Sequence, residues 1–286
     1  MSRESVLLLG GTGFIGSALA KRLEREGIAV HILGRHDTAR LENILPQCGT
    51  VIHLASATTP GSSASHPNLE LDNLTLTLRL LELMQYQPET HLIFFSSGGT
   101  VYGNPDRLPV TEDSPIQPLS NYGAGKASQE AFCQSLRSCG NPVTILRPSN
   151  VYGPSQTMLH GFGLVRTMLE NIRVGVPLEI WGDGENIRDY IYIDDVVEAT
   201  LRFIKLTQDS GTYNLGRGIG HSINQVRRIV EQVSGSDLKT NHQPARGMDV
   251  RAVVLDISRL EKLLSWKPQV SLEEGVLRTW RSFNQS

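Results

Sequence analysis

Tyr122 and Lys126 stand four residues apart, and on a helix that spacing puts two side chains on one face. An ammonium held near a phenol favours the phenolate and lowers a pKa that is about 10 in water. The pair can then act as a base that takes a proton from an alcohol while the alcohol's carbon gives up hydride. Tyr-x-x-x-Lys also recurs by chance on solvated helix faces. Here it lies downstream of a glycine-rich turn, with Gly10, Gly13 and Gly16 three residues apart. An apolar run at 6–9 precedes the turn, and helical spacing of Ala18, Leu19 and Leu23 follows it. Strand, glycine turn and helix form a dinucleotide fingerprint. The glycines let the backbone approach a pyrophosphate, and the helix start supplies amide donors and partial positive charge.

These residues need a scaffold, and the chain has its pattern. Apolar strand-like runs at 6–9, 28–33, 50–54, 91–96 and 143–147 alternate with helix-like stretches. That alternation predicts an α/β fold with a Rossmann-like, doubly wound parallel sheet. After Arg147 the regularity weakens, with Pro148, Gly153, Pro154, Gly161 and Gly163 crowding a loop. A helix is expected at 164–173. Strands at 189–193 and 212–215 are expected to return to the first domain. The tail adds helices at 222–234, 258–264 and 272–283 and a strand near 252–255. The expected division is a dinucleotide-binding domain at 1–147 plus about 187–217, and a smaller discontinuous α/β cap at about 148–186 and 218–286.

The spacing at 10, 13 and 16, together with Tyr122 and Lys126, resembles the extended short-chain dehydrogenase/reductases, and among them the nucleotide-sugar epimerase/dehydratase family. The resemblance runs along nearly the whole chain. It includes the stretches 51–55 (Val-Ile-His-Leu-Ala), 95–103 (Phe-Ser-Ser-Gly-Gly-Thr-Val-Tyr-Gly), 146–154 (Leu-Arg-Pro-Ser-Asn-Val-Tyr-Gly-Pro) and 187–195 (Ile-Arg-Asp-Tyr-Ile-Tyr-Ile-Asp-Asp). It implies Tyr122 as acid/base with Lys126, and a cofactor held by Gly10, Thr12, Gly13, Phe14, Ile15, Gly16, Arg35, His36, Leu54, Ala55, Asn73, Tyr122, Lys126 and Pro148. A helix-surface amide is the plainer reading of Asn73. The cap would hold a nucleoside-diphosphate sugar through Asn150, Trp181, Arg188 and Arg246, with Asp189 orienting Arg188. Two cations and an amide donor match a pyrophosphate.

Three departures from the family pattern stand out. Only 15 residues separate Arg35 from Val51, where the family places helix, strand and helix. One short helix at 38–45 fits there, so the usual third strand is expected to be missing and 28–33 to form the sheet edge. The usual hydroxyl two places before Thr100 is replaced by Gly98. That leaves Ser97 and Thr100 as the hydroxyls that could support the reaction, with Thr100 preferred. Finally, the acidic position that ends the second strand in NAD-binding folds is Gly34, followed by Arg35. A small residue and a guanidinium suit a 2′-phosphate, which points to NADP. With NAD instead, Arg35 would stack on adenine and Asp37 would serve the ribose.

Two activities fit. One is C4 epimerisation of a sugar nucleotide through a 4-keto intermediate, in the manner of UDP-glucose 4-epimerases. The other is NADPH-dependent reduction of a 4-keto-6-deoxy sugar nucleotide, with Tyr122 as acid. Dehydration does not fit, because family dehydratases carry Asp-Glu where this chain has Gly99 and Thr100. A non-catalytic dinucleotide sensor is disfavoured by the intact Tyr122/Lys126 pair.

Composition suits a soluble globular protein. The 286 residues carry a net charge of −2, with 39 % hydrophobic and 20 % charged residues, which gives no electrostatic basis for binding nucleic acid. No apolar run is long enough to span a membrane. Cys48, Cys133 and Cys139 form no metal pattern and read as reduced cytoplasmic thiols, so no metal is expected. Asp194 and Asp195 read as helix caps, and His53 as strand packing. In the helix at 69–84, Leu71, Leu74, Leu78 and Leu81 form one apolar stripe, and Leu69, Leu76, Leu80 and Leu83 a second one nearly opposite. A helix apolar on two sides must be covered on both, which predicts a homodimer through helices 69–84 and 122–138.

Overall fold

The computed structural model describes residues 5–34, 37–158, 163–206, 209–245 and 249–283. The first unit is built on strands β1 (Ser5–Leu9), β2 (Val30–Leu33), β3 (Cys48–His53), β4 (His91–Phe95), β5 (Val143–Pro148) and β9 (Thr212–Leu215). They form one parallel sheet in the order β2-β1-β3-β4-β5-β9. Helices α1 (Phe14–Arg25), α4 (Leu69–Met84), α5 (Asn121–Ser138) and α7 (Ile193–Lys205) cover it. A strand covered on both faces can be apolar throughout, and alternate residues feed two cores. Val6, Leu8, Ile52 and Ile93 pack with Leu19 and Leu23 of α1 and Val196 of α7. Leu7, Leu9, Val51 and Leu92 pack with Leu80 and Met84 of α4 and Leu136 of α5.

The sheet ends at β2, as the short 34–50 segment predicts. Among the described residues no strand lies outside it. A turn at Thr38–Arg40, the one-turn helix α2 (Leu41–Ile44) and a second turn at Leu45–Gln47 carry the chain directly to β3. Leu41, Ile44 and Leu45 are buried under the α4 side of the sheet.

The second unit contains β6 (Asn150–Tyr152), α6 (Leu164–Val174), β7 (Leu178–Trp181), β8 (Ile187–Tyr192), β10 (Gly220–Ser222), α8 (Ile223–Ser234), β11 (Thr240–Gln243), β12 (Ala252–Val253) and α10 (Leu272–Phe283), with α3 (Pro60–Ser65) and α9 (Ser258–Leu264) elsewhere in the chain. β8 pairs with β6, β10 and β12, and β7 pairs with β11. Of the two strands expected to return to the first domain, β9 joins the first sheet and β8 does not. The place beside β5 is taken by β9, with Ile145 opposite Thr212, and β8 completes the smaller sheet. Helix α7 does return, and Glu198 pairs with Arg22 of α1 at 3.3 Å.

Helix α4 buries Asn73, Thr77, Leu80, Leu81 and Met84. Leu71 and Leu78 remain 61 % and 39 % exposed, and Leu69 of α4 and Phe132 of α5 are also exposed. The outward stripe thus loses Leu81 to the core and keeps Leu71 and Leu78 on the surface. No helix among the described residues is long and apolar enough to cross a membrane.

Candidate active site

Parallel strands of matched register bring their carboxyl ends to one edge, where ligands of open α/β sheets bind. Leu9 stands opposite both Leu33 and His53, so the turn after β1 and the loops after β2 and β3 emerge together. Gly10 closes this edge by donating its N–H to Leu33 O at 2.8 Å. It needs a left-handed backbone (φ +92°), and a Cβ there would lie 2.6 Å from Ala55 N. Gly16 packs as tightly, since its Cβ would sit 2.4 Å from Gly10 O. Gly13 is different: among the described residues a Cβ there would meet only Gly10 O, at 3.4 Å. It is the N-cap of α1, no side chain caps the helix, and no acidic residue occupies the first turn. The amides of Phe14, Ile15 and Gly16 thus begin a helix whose positive end no first-turn carboxylate offsets. Open space at Gly13 beside an uncapped helix start fits a dinucleotide pyrophosphate. Thr12 is exposed in the same turn, and Leu54 and Ala55 form its wall.

Beyond β4 the chain folds into a tight turn in which Thr100 N and Val101 N both donate to Ser97 O, at 3.2 and 3.1 Å. Gly98 N donates to Pro148 O at 2.8 Å, joining this turn to the end of β5. Helix α5 starts against it, with Ser120 as N-cap accepting from Gly123 N. The approach is close: a Cβ at Gly123 would lie 2.8 Å from Thr100 O. The first turn of α5, which carries Tyr122, therefore lies against Thr100, whose Oγ1 is buried without a hydrogen-bond partner among the described residues. Lys126, one turn on, is 3 % exposed and donates from Nζ to Phe95 O at 2.9 Å. Ser97, Thr100, Tyr122 and Lys126 are thus gathered at the carboxyl end of β4.

The electrostatics differ from the expectation. Burial, and secondarily the Glu70 carboxylate, push the Tyr122 phenol up rather than down. The reason is that Tyr122 is withdrawn from water and faces the negative charge of Glu70. Burial lowers the Lys126 ammonium to about 8, while Glu70, Cys133 and Glu130 act to raise it.

A buried network holds the site from below. Arg147 of β5 donates from Nη2 to Glu130 Oε2 at 2.7 Å, from Nε to Glu130 Oε1 at 3.0 Å and from Nη1 to Tyr102 OH at 2.8 Å. Ser96 Oγ also donates to Glu130. With both ions almost wholly buried, the fork geometry and extra hydrogen bonds are what make the pair tolerable.

Asn73 is placed differently from its reading as a helix-surface amide. It is 4 % exposed and not on a helix surface. Its Oδ1 accepts from Ala57 N at 2.6 Å, and its Nδ2 donates to Thr58 Oγ1 and Glu70 Oε2 at 2.8 and 2.9 Å. The amide shapes the loop after β3. Pro148 is buried and contributes its carbonyl to Gly98 N.

On the cap side, Asn150 Nδ2 donates to Asp189 O at 2.9 Å, next to Gly99. Arg188 donates from Nη2 to Val250 O at 2.6 Å and from Nη1 to Ile187 O at 2.8 Å. Asp189 does not orient it, which corrects the sequence reading. That carboxylate is 1 % exposed and accepts from Arg217 N and Gly218 N at 2.9 Å and Leu255 N at 3.3 Å. Alternation along β8 turns neighbouring side chains to opposite faces. Asp195 is likewise no cap: it accepts from Gln269 N and Val270 N at 2.9 and 3.0 Å. Trp181 is half-buried at the end of β7, opposite Gln243. His53 is a core residue bonded to Thr77 Oγ1 at 2.9 Å, and burial keeps it neutral. Arg35, His36 and Arg246 lie outside the described residues.

Sequence reasoning missed Glu70 and Leu255. A Cβ at Gly98 would lie 2.7 Å from Leu255 Cδ1 and from Arg147 O, so the missing hydroxyl at 98 coincides with the Leu255 side chain in its space. A Cβ at Gly125 would lie 2.4 Å from Glu70 Oε2. The visible clue is a glycine inside a helix, where it is unfavourable by roughly 0.5–1 kcal/mol relative to Ala.

Residues 6–216 match the model of the NAD dependent epimerase/dehydratase family. A UDP-glucose 4-epimerase of Mycolicibacterium smegmatis is 30 % identical over 97 % of this chain and 97 % of its own length. A UDP-glucose 4-epimerase structure from Thermotoga maritima with UDP-glucose superposes with a TM-score of 0.91 at 32 % identity, covering 98 % of this chain and 99 % of the other. One from Thermus thermophilus in complex with NAD gives a TM-score of 0.91 at 30 % identity, covering 99 % of both chains.

Proposed function

The chain belongs to the NAD dependent epimerase/dehydratase family, and from that premise we propose that it epimerises C4 of a nucleoside-diphosphate hexose through a 4-keto sugar. The observation that carries the proposal is the gathering of Thr100, Tyr122 and Lys126 at the end of β4, on the edge where the open glycine turn of α1 also emerges. Bound NAD supplies the hydride acceptor, its later donor and, while oxidised, a positive ring charge. Tyr122 takes the C4 hydroxyl proton and returns it to the epimeric oxygen. Thr100 Oγ1 hydrogen-bonds that oxygen, in the place of a hydroxyl at 98, with Ser97 shaping the turn. The Lys126 ammonium offsets the charge on a phenolate.

Residues 148–186 and 218–286 form the sugar-nucleotide cap in this reading, and Asn150, Trp181, Arg188 and Arg246 hold the nucleotide diphosphate. Arg188 brings a guanidinium that donates to the backbone carbonyls of Ile187, Val250 and Arg251, with Asp249 as a nearby opposite charge, and an incoming phosphate would compete for it. For the cofactor we favour NAD over the NADP suggested by Gly34 and Arg35. Asp37 sits at the end of β2, with Oδ2 on Gly34 N at 2.9 Å, and a carboxylate there suits a ribose hydroxyl and repels a 2′-phosphate. The relative from Thermus thermophilus is in complex with NAD. The exposed leucines of α4, with Phe132 of α5, are the surface of a homodimer. None of the three cysteines is in a disulfide, which accords with a cytoplasmic setting.

Purified protein incubated with a panel of UDP- and dTDP-hexoses should interconvert one C4 pair without added reductant. Consumption of NADPH by a 4-keto-6-deoxy sugar nucleotide, with no interconversion of any pair, would replace this reading with the reductase.

A further inference from the structure

Helix α5 carries Gly125 between Tyr122 and Lys126, and the missing side chain is filled from outside. Around its ideal Cβ position lie Glu70 Oε2 at 2.4 Å, Cδ at 2.9 Å and Cγ at 3.1 Å. An alanine and this carboxylate cannot share the space. Glu70 is also anchored: Asn73 Nδ2 donates to Oε2 at 2.9 Å, and Asn73 is fixed in turn by Ala57 N and Thr58 Oγ1. The other oxygen, Oε1, is buried without a hydrogen-bond partner among the described residues.

Among the described residues, every other titratable group that acts on Lys126, or on which Lys126 acts, is neutral or already engaged. His53 on β3 is held neutral by burial. Burial pushes the Cys133 thiol of α5 up to about 12. Glu130, also on α5, is bound to Arg147 of β5 and to Ser96. That leaves Glu70, on α4, as the carboxylate with an uncommitted oxygen. It is likewise the charge that acts on Tyr122.

We propose that Glu70 is a third member of the Tyr122/Lys126 site, a positioning carboxylate seated on α5 where Gly125 has no side chain. It offsets the Lys126 charge felt by Tyr122 and sets the pH range in which the pair works. The role in turnover rests on the epimerase reading; the seat of Glu70 at Gly125 does not. A carboxylate beside an ammonium favours the charged amine, and beside a phenol it disfavours the phenolate. Removing its charge should therefore move both titrations to lower pH.

The test uses protein labelled with 13C-lysine, with the Lys126 Cε resonance assigned through Lys126→Met and followed from neutral to alkaline pH. The wild-type midpoint should fall near 8. In Glu70→Gln it should drop by about one pH unit, the scale of a close charge partner. Gly125→Ala should lower it in the same direction, because the carboxylate is displaced while its charge remains in the chain. Glu70→Asp should restore part of the shift. In parallel, both limbs of the pH profile of kcat should move to lower pH in Glu70→Gln. Midpoints unchanged in both Glu70→Gln and Gly125→Ala would overturn the proposal. A resonance that shifts in a protein inactive on every sugar nucleotide would overturn the epimerase reading instead and leave Glu70 in place.

Discussion

Leu255 fills the space that a side chain on Gly98 would require: its Cδ1 lies 2.7 Å and its Cδ2 3.2 Å from the ideal Cβ position. The turn after β4 and the segment after β12 are thereby interlocked, and a hydroxyl cannot be restored at 98 by substitution alone. Arg147 O stands 2.7 Å away on the same side, so the site is closed by backbone as well as by a movable side chain.

Gly98→Ser should therefore destabilise the fold by about 1–3 kcal/mol, the usual scale of overpacking. In a Leu255→Ala background the same change should cost less, though not nothing, because Arg147 O remains. A double-mutant cycle from urea denaturation midpoints measures the coupling. Strict additivity would show that Leu255 and position 98 do not compete.

Tyr122→Phe should lower turnover by at least about 10², the contribution expected of a general acid–base group. Its affinity for the sugar nucleotide should stay close to that of the parent protein, since only the phenol oxygen is lost. Turnover near the parent level would remove Tyr122 from the chemistry.

Cofactor choice is measurable by titrating the apoprotein with each dinucleotide. NAD should bind more tightly than NADP, and Asp37→Ala should narrow or reverse the preference. With no strand outside β2 among the described residues, the adenine end is expected to be less enclosed, and bound dinucleotide should exchange with free dinucleotide during dialysis. Tighter NADP binding in the parent protein would return the assignment to Gly34 and Arg35.

The helix α4 surface predicts the association state. Sedimentation equilibrium should show a dimer, and Leu71→Glu with Leu78→Glu should give monomers, because both side chains are exposed in the single chain and would be buried across a two-fold interface. A parent protein that stays monomeric at every concentration would leave that stripe without a partner.

Much of this arrangement is legible in the residues alone. The apolar runs fall on the sheet strands because a strand buried on both faces needs little else, and the 15-residue gap after Arg35 sets a simple length limit. The glycine turn and the Tyr122/Lys126 pair are local patterns, and their spacing carries over into space. The corrected positions share a different cause. Sequence adjacency pairs Asp189 with Arg188, but strand alternation turns it toward the amides of Arg217, Gly218 and Leu255. Asp195 has the look of a helix cap and instead holds residues 269–270. Glu70 and Leu255 reach Gly125 and Gly98 from far along the chain, and no periodicity encodes which side chain fills a glycine's empty place.

The bare sheet edge has a consequence for how this protein behaves when crowded. An exposed strand edge can template addition of another chain's strand, and with it aggregation. Val30–Leu33 is four residues long, bears the exposed Ile32, and spends its inner side entirely on Val6–Leu9. The turn that follows folds Asp37 back onto the amide of Gly34. Too short to seed a ladder and closed at its end by a charged residue, the edge guards itself by brevity, the task the omitted strand would have performed by covering it.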